Sequence, residues 1–363
     1  MKILFATGHP HMPQFTGGSQ STVHDLTLDL VERGHSVSVL ASLWSNGYLG
    51  LRNRILMKFL RRDAVRDDMV GYPVYRKWFV WENLGPIMRK KRPDAAMVHA
   101  MLPARIAHAL VDEGVPTVMY LHDVKFEDLG ADIRTLKGVE FVANSRFTAR
   151  AYADEFGIEA RVVPPMFRKE RYMAPRAPEN VTFINPHPDK GLDLALAIAR
   201  LCPEIPFVFQ ESWPLDDGAL SALNAQLEQL PNVTLQRRTD DIASVYAKAR
   251  IVLAPSQCEE AWGRVATEAQ FNGIPVLASD RGGLPEAVGP GGTLLDPDQP
   301  AEVWAAELKR LWLDQAYYEE KSRAGLVYAE REEIDAGWQV TALLEALETA
   351  RSNWDLHDRP QGY

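Results

Sequence analysis

Along the chain, short apolar runs alternate with longer stretches in which apolar residues recur every three or four positions. The runs read as buried strands and the longer stretches as amphipathic helices. In the first half the strand candidates are Lys2–Ala6, Ser36–Ala41, Ala95–His99, Thr117–Leu121 and Glu140–Asn144. In the second they are Val181–Asn185, Pro206–Gln210, Val233–Gln236, Ile251–Ala254 and Ile274–Ala278. Helices fall between them, Ser19–Arg33 and Leu192–Leu201 being the clearest. Strands that alternate with helices predict an α/β chain with parallel sheets covered on both faces. No repeat or low-complexity tract interrupts the pattern.

Between Arg161 and Pro178 the alternation lapses, and Pro164, Pro165, Pro175 and Pro178 stand among charged residues. That composition suits a linker. The expected organisation is therefore a Rossmann-like domain over 1–168 and a second over 169–335. A further helix is expected at 336–351, with a mobile tail at 352–363. Ligands of such sheets bind beyond the carboxyl ends of the strands, which puts the expected site in the cleft between the two domains.

Composition narrows the class. The 363 residues are 46% hydrophobic, enough for two cores. No run of about 18 uncharged apolar residues offers a membrane-spanning helix. The opening Met1-Lys2-Ile3-Leu4-Phe5-Ala6 goes straight into a strand without a signal-peptide layout. Cys202 and Cys258 form neither a metal spacing nor a disulfide framework, so the default expectation is the cytoplasm. Net charge is −9 but uneven: residues 1–168 carry 22 Lys/Arg and 18 Asp/Glu (+4), the rest 18 and 31 (−13). An anionic or membrane-surface partner, if there is one, is thus expected to meet the first half. There Leu51–Arg62 mixes apolar and basic positions, with Arg89-Lys90-Lys91-Arg92 and Trp78-Phe79-Val80-Trp81 nearby. It reads either as a solvated helix packed on the domain or as a surface helix making peripheral contact with an anionic membrane.

The most informative segment is Ser256-Gln257-Cys258-Glu259-Glu260-Ala261-Trp262-Gly263-Arg264-Val265-Ala266-Thr267-Glu268. It follows a buried strand and enters a helix at Gly263, where unpaired N–H groups favour an anion. Glu260 precedes that entry and Glu268 lies about one and a half turns inside. Two acceptors around an anion hole suit a nucleotide-sugar, with its sugar hydroxyls, diphosphate and ribose. Phe271–Ala278 then reads as a helix stop and a further strand, and Arg281-Gly282-Gly283-Leu284-Pro285-Glu286 as a turn opening a short helix. This succession resembles the Glu-x7-Glu signature of the retaining family-4 glycosyltransferases, which have the GT-B fold of two Rossmann-like domains.

The resemblance implies that the helix at 336–351 crosses back to the first domain, and it implies roles. Glu260 would position the donor sugar and Glu268 the ribose, with Trp262, Gly263 and Arg264 in the donor-binding set. Gly17 and Gly18 open a helix after a long loop and would let the backbone approach the donor phosphate. That loop lacks the G-x-G-x-x-G of dinucleotide dehydrogenases. His122, at a strand end, would lie beside the donor sugar; His99 is placed similarly, and Asn144-Ser145-Arg146 reads as a helix cap. Lys190, before Gly191, aligns with a lysine that contacts the donor phosphates. Where the family has an arginine five residues earlier this chain has Asn185, and Arg264 or His187 would substitute. Asn232–Tyr246 resembles the base-binding segment.

The expected function is transfer of a sugar from a nucleotide-sugar to an acceptor hydroxyl with retention, by same-face attack without an enzyme nucleophile. No cofactor and no metal is expected, since Asp296-Pro297-Asp298 reads as a turn. The acceptor stays open among lipid-linked, polysaccharide and small-molecule classes, and no nucleic-acid partner is expected. A nucleotide-sugar 2-epimerase of the same fold and a silent sugar-nucleotide-binding protein remain as alternatives.

Overall fold

A computed structural model describes residues 1–357. The chain forms two compact units, Met1–Met166 with the segment from Ala336 onward, and Phe167–Asp335.

The first unit holds β1 (Lys2–Pro10), β2 (Ser36–Ser42), β3 (Ala64–Asp67), β4 (Val74–Lys77), β5 (Ala95–His99), β6 (Thr117–Leu121), β7 (Val139–Ala143) and β8 (Arg161–Val162). They form one sheet of order β3-β4-β2-β1-β5-β6-β7-β8. Neighbours run parallel except β3 and β4, which pair antiparallel. Alternate residues of β1 serve opposite faces, Ile3 and Phe5 one core, Leu4 and Ala6 the other. This is the period of two that a strand buried on both sides requires. One face is covered by the helix Gly18–Glu32 and by Ala336–His357. The latter contributes Val340, Leu343, Leu347 and Ala350, spaced by three and four residues so that they share a stripe. Gln339 Nε2 donates to Pro165 O at 2.9 Å and Arg161 pairs with Glu345 at 2.9 Å.

The second unit holds β9 (Asn180–Ile184), β10 (Phe207–Gln210), β11 (Val233–Gln236), β12 (Ala249–Ala254), β13 (Val276–Ser279) and β14 (Gly292–Leu295). Its order is β11-β10-β9-β12-β13-β14, parallel throughout. Strand order reverses between β1 and β5 in one sheet and between β9 and β12 in the other. Loops diverge at such switch points and leave a crevice at the carboxyl ends.

Several elements differ from expectation. β1 continues through Gly8-His9-Pro10, which the sequence assigned to a loop. β3, β4, β8 and β14 were not anticipated; β3, β4 and β8 carry charged residues that break an apolar run. The sheets are accordingly not all parallel, because β3 and β4 close a hairpin. The last helix runs on to His357, so the expected tail does not begin at Ser352. Asn353 Nδ2 donates to Glu140 Oε1 at 2.7 Å, which extends the docking past Arg351. Residues 358–363 of that expected tail lie outside the described residues.

Candidate active site

The switch point of the second unit brings the β9 and β12 loops side by side. After β9 the chain turns at Asn185 and makes a short 3₁₀ turn over Pro188–Lys190. It then closes at Gly191, with φ 84°. A side chain at Gly191 would place its Cβ 1.9 Å from Pro255 O, so only glycine lets this turn lie against the end of β12. Asp189 O accepts from the amides of Gln257 and Cys258 at 2.9 and 3.1 Å, joining the two loops. Lys190 Nζ thereby comes within 2.6 Å of Glu260 Oε1, and Ser256 Oγ donates to the same oxygen at 2.8 Å. Burial pulls the Lys190 ammonium down, but Glu260, Cys258 and Asp189 outweigh it and the net shift is upward. A desolvated lysine that keeps its charge suits a phosphate better than a proton-transfer role.

Gly282, with φ 62°, supports this loop from behind: a Cβ there would lie 2.4 Å from Glu260 O. Gly283 N donates to that carbonyl at 2.6 Å. The Gly-Gly turn is therefore a buttress for the Glu260 loop.

Glu268 belongs to a second group. It sits on the two-turn helix Arg264–Gln270, capped by Gly263 at φ 92°. Its carboxylate accepts from Tyr246 Oη at 2.7 Å and from Arg264 Nε at 3.2 Å. Arg264 also donates to Tyr172 Oη at 2.8 Å and stands 4.2 Å over the Phe167 ring. Arg264 is thus held within this group. His187 Nδ1 accepts from the Asp189 amide at 3.4 Å. Trp262, expected in the donor-binding set, is corrected: its side chain is 2% exposed in the core and its indole N–H donates to Thr267 Oγ1 at 3.0 Å. A large aromatic buried with its donor satisfied packs the loop instead of meeting a ligand.

The switch point of the first unit gathers imidazoles. Gly17 caps the helix that starts at Gly18, in extended backbone. His9 stacks on Phe15 at 5.1 Å; burial lowers its pKa. His11 Nε2 lies 2.8 Å from Tyr72 Oη, which also bonds His24 Nδ1 at 2.7 Å. Burial, then Arg76 and His24, drive His11 down to about 3. His99 is fully buried with both ring nitrogens unpartnered. Burial holds it well below the ordinary range, and its ring meets that of His122 at 5.7 Å. His122 packs on Tyr120 at 4.1 Å. Arg76 pairs with Asp67 at 2.7 Å and donates to the carbonyls of His11 and Met12 at 3.0 and 2.6 Å, fixing the loop after β1. Sequence reading found His99 and His122 from strand ends. It missed His9, His11 and His24, which are gathered only by the fold.

Two further expectations meet structure here. Ser145 Oγ accepts from the Thr148 amide at 2.9 Å and is the helix cap expected of Asn144-Ser145-Arg146. Asp296 Oδ1 accepts from the Asp298 amide at 2.9 Å, a turn. Among the described residues, no group of three or more His, Cys, Asp or Glu is arranged to hold a metal. The helix Gly47–Leu60 buries Leu49, Asn53 and Met57 while Tyr48, Leu51, Ile55 and Phe59 form an exposed stripe, Phe59 at 83%. No helix among the described residues is long and apolar enough to cross a membrane.

Residues 16–171 match the family described as Glycosyltransferase Family 4, and residues 184–332 that described as Glycosyl transferases group 1. A D-inositol 3-phosphate glycosyltransferase of Segniliparus rotundus is 31% identical over 228 residues, 55% of this chain and 49% of that protein. One from Corynebacterium kroppenstedtii is 47% identical over 77 residues, 21% and 17% of the respective lengths. The chain thus spans about half the length of these curated relatives, or less. Among solved structures, Anabaena Alr3699/HepE in complex with UDP-glucose matches with a TM-score of 0.75 at 17% identity, covering 96% of this chain and 100% of that one. Sucrose-phosphate synthase from Thermosynechococcus elongatus matches at 0.74 and 16%, covering 97% and 100%. The architecture is the GT-B fold.

Proposed function

We propose that the chain moves a sugar from a nucleotide-sugar to an acceptor hydroxyl with retention of anomeric configuration, a reading supported by the match of its two halves to glycosyltransferase family models. The observation that carries this reading is the Lys190–Glu260 pair at the β9–β12 switch point, a charged lysine held in a dehydrated crevice. As the donor diphosphate leaves, its negative charge grows, and Lys190 stabilises it more in the transition state than in the ground state. Glu260, released from that lysine, accepts from hydroxyls of the donor sugar, and Glu268 from the ribose. Gly17 and Gly18 admit the phosphate to the backbone, and His122 orients the sugar or the acceptor. No enzyme nucleophile, cofactor or metal takes part.

The acceptor binds on the first unit, where neutral imidazoles supply donors and acceptors for hydroxyls. The relatives' names point to a polyol phosphate as the first acceptor to test, and the similar structures to a uridine nucleotide as the first donor. The exposed stripe of Gly47–Leu60, flanked by Arg54, Lys58, Arg61 and Arg62, associates with an anionic membrane on its cytoplasmic side.

Transfer is tested with UDP-, ADP- and GDP-glucose, with and without EDTA, reading the anomeric proton of the product by NMR. An α-linked product that survives chelation is expected. A β-linked product overturns retention, and loss of activity in EDTA overturns metal independence. Vesicles rich in phosphatidylglycerol at low salt are expected to bind the protein. Changing Arg54 and Lys58 together to Gln is expected to weaken that by about 2 kcal/mol, roughly 1 per charge.

A further inference from the structure

Beside Lys190 lies an indole that the roles above leave unused. Trp213 follows β10, and its loop is fixed at several points. The Trp213 amide donates to Asn185 Oδ1 at 3.2 Å. The buried Glu211 carboxylate accepts from the Leu215 amide at 2.9 Å, from the Arg238 amide at 3.2 Å and from Arg237 Nε at 3.0 Å. So held, the Trp213 ring has Lys190 Nζ at 5.5 Å from its centroid and the His187 ring at 6.2 Å.

Asn185 explains why an indole stands here. Its backbone has φ 66°, which asparagine tolerates better than arginine does. Its side chain is buried and its Oδ1 accepts from the Trp213 amide. The position where the resembled family has an arginine therefore anchors the Trp213 loop. A lysine is a compact charge on a flexible stem. With its side chain only 20% exposed, an aromatic face is a strong neighbour for its ammonium.

We propose that Trp213 is a positioning residue for Lys190: its ring face keeps the ammonium in place when Glu260 exchanges that cation for the donor diphosphate, so the site grips its donor with one cation and one indole. This rests on the donor-binding reading of Lys190. The groups facing the ammonium are Glu260 and Cys258 from the β12 loop, Asp189 from its own loop and Trp213 from the β10 loop, with His187 against that indole.

The test uses Trp213→Leu, which keeps apolar bulk without a π face, and Trp213→Phe, which keeps the face. Each is made in the native chain and beside Lys190→Met. Competitive acetylation read by mass spectrometry titrates the Lys190 amine without ligand, and calorimetry with UDP-glucose reads donor affinity. The expected result is a weakening by Trp213→Leu of about 2- to 30-fold, the span of a cation–π contact from exposed to dehydrated settings. Trp213→Phe recovers most of it, the loss vanishes beside Lys190→Met, and the amine titrates at lower pH in Trp213→Leu. An equal loss in both backgrounds, or an amine titration unmoved by Trp213→Leu, overturns the proposal. If UDP-glucose and its ADP and GDP counterparts all fail to bind while the titration moves, the donor reading falls and the Trp213–Lys190 coupling stands.

Discussion

At the β9–β12 switch point a lysine keeps its proton under burial, while at the β1–β5 switch point His9, His11 and His99 give theirs up. The desolvation penalty acts on all four side chains. What differs is the company: Lys190 has a carboxylate at 2.6 Å, whereas His11 faces Arg76 and other imidazoles. The same topological position thus yields a charged crevice in one sheet and a neutral polar one in the other. A charged crevice suits phosphates, and neutral imidazoles suit hydroxyls, which need both donors and acceptors.

The contrast breaks most readily at Lys190. Replacing it by Ala is expected to lower kcat/KM by about 10- to 100-fold, since a charge-assisted hydrogen bond is worth roughly 1.5–3 kcal/mol. An unchanged rate would remove the charge from the proposed chemistry.

The imidazole side is broken by acid. His11 titrates near 3 in the folded chain against 6.5 ordinarily, so between those values the unfolded chain binds the extra proton and stability falls with falling pH. At pH 5 this one residue is expected to cost up to about 2 kcal/mol, at ~1.4 kcal/mol per pH unit below its ordinary pKa. Urea midpoints at pH 5 and 7.5 measure it, and His11→Asn should flatten the difference. A native chain equally stable at both would show that the imidazoles are not held neutral.

The smallest change sharpens the charged side. Ser256→Ala removes one hydroxyl donor to the Glu260 carboxylate and leaves the ion pair. About 1.5 kcal/mol is expected, the low end for a hydrogen bond to a charged group, or roughly a tenfold rise in donor KM. A loss as large as that of Lys190→Ala would mean that the hydroxyl, not the ammonium, fixes the carboxylate.

Long apolar runs such as Ala95–His99 and Ile251–Ala254 were legible in sequence because strands buried on both faces leave an unbroken signature. β3 and β4 were not, since Asp67, Arg76 and Lys77 are polar yet buried and break the apolar signature. The Lys190–Glu260 juxtaposition followed from two loops whose strands turn out to be neighbours. Ser256 and Trp213 could not be placed by spacing, for their contacts cross from one strand end to another. Trp262 misled because a tryptophan beside a catalytic-looking glutamate is as easily core as contact, and only burial separates the two.

The first unit is assembled from two stretches separated by the whole of Phe167–Asp335. During synthesis, then, the intervening unit has all its residues in hand before its predecessor can finish, because Val340, Leu343 and Leu347 emerge later and complete the older core. Maturation is expected to run against the order of translation, an exception to the usual rule that amino-terminal domains settle first.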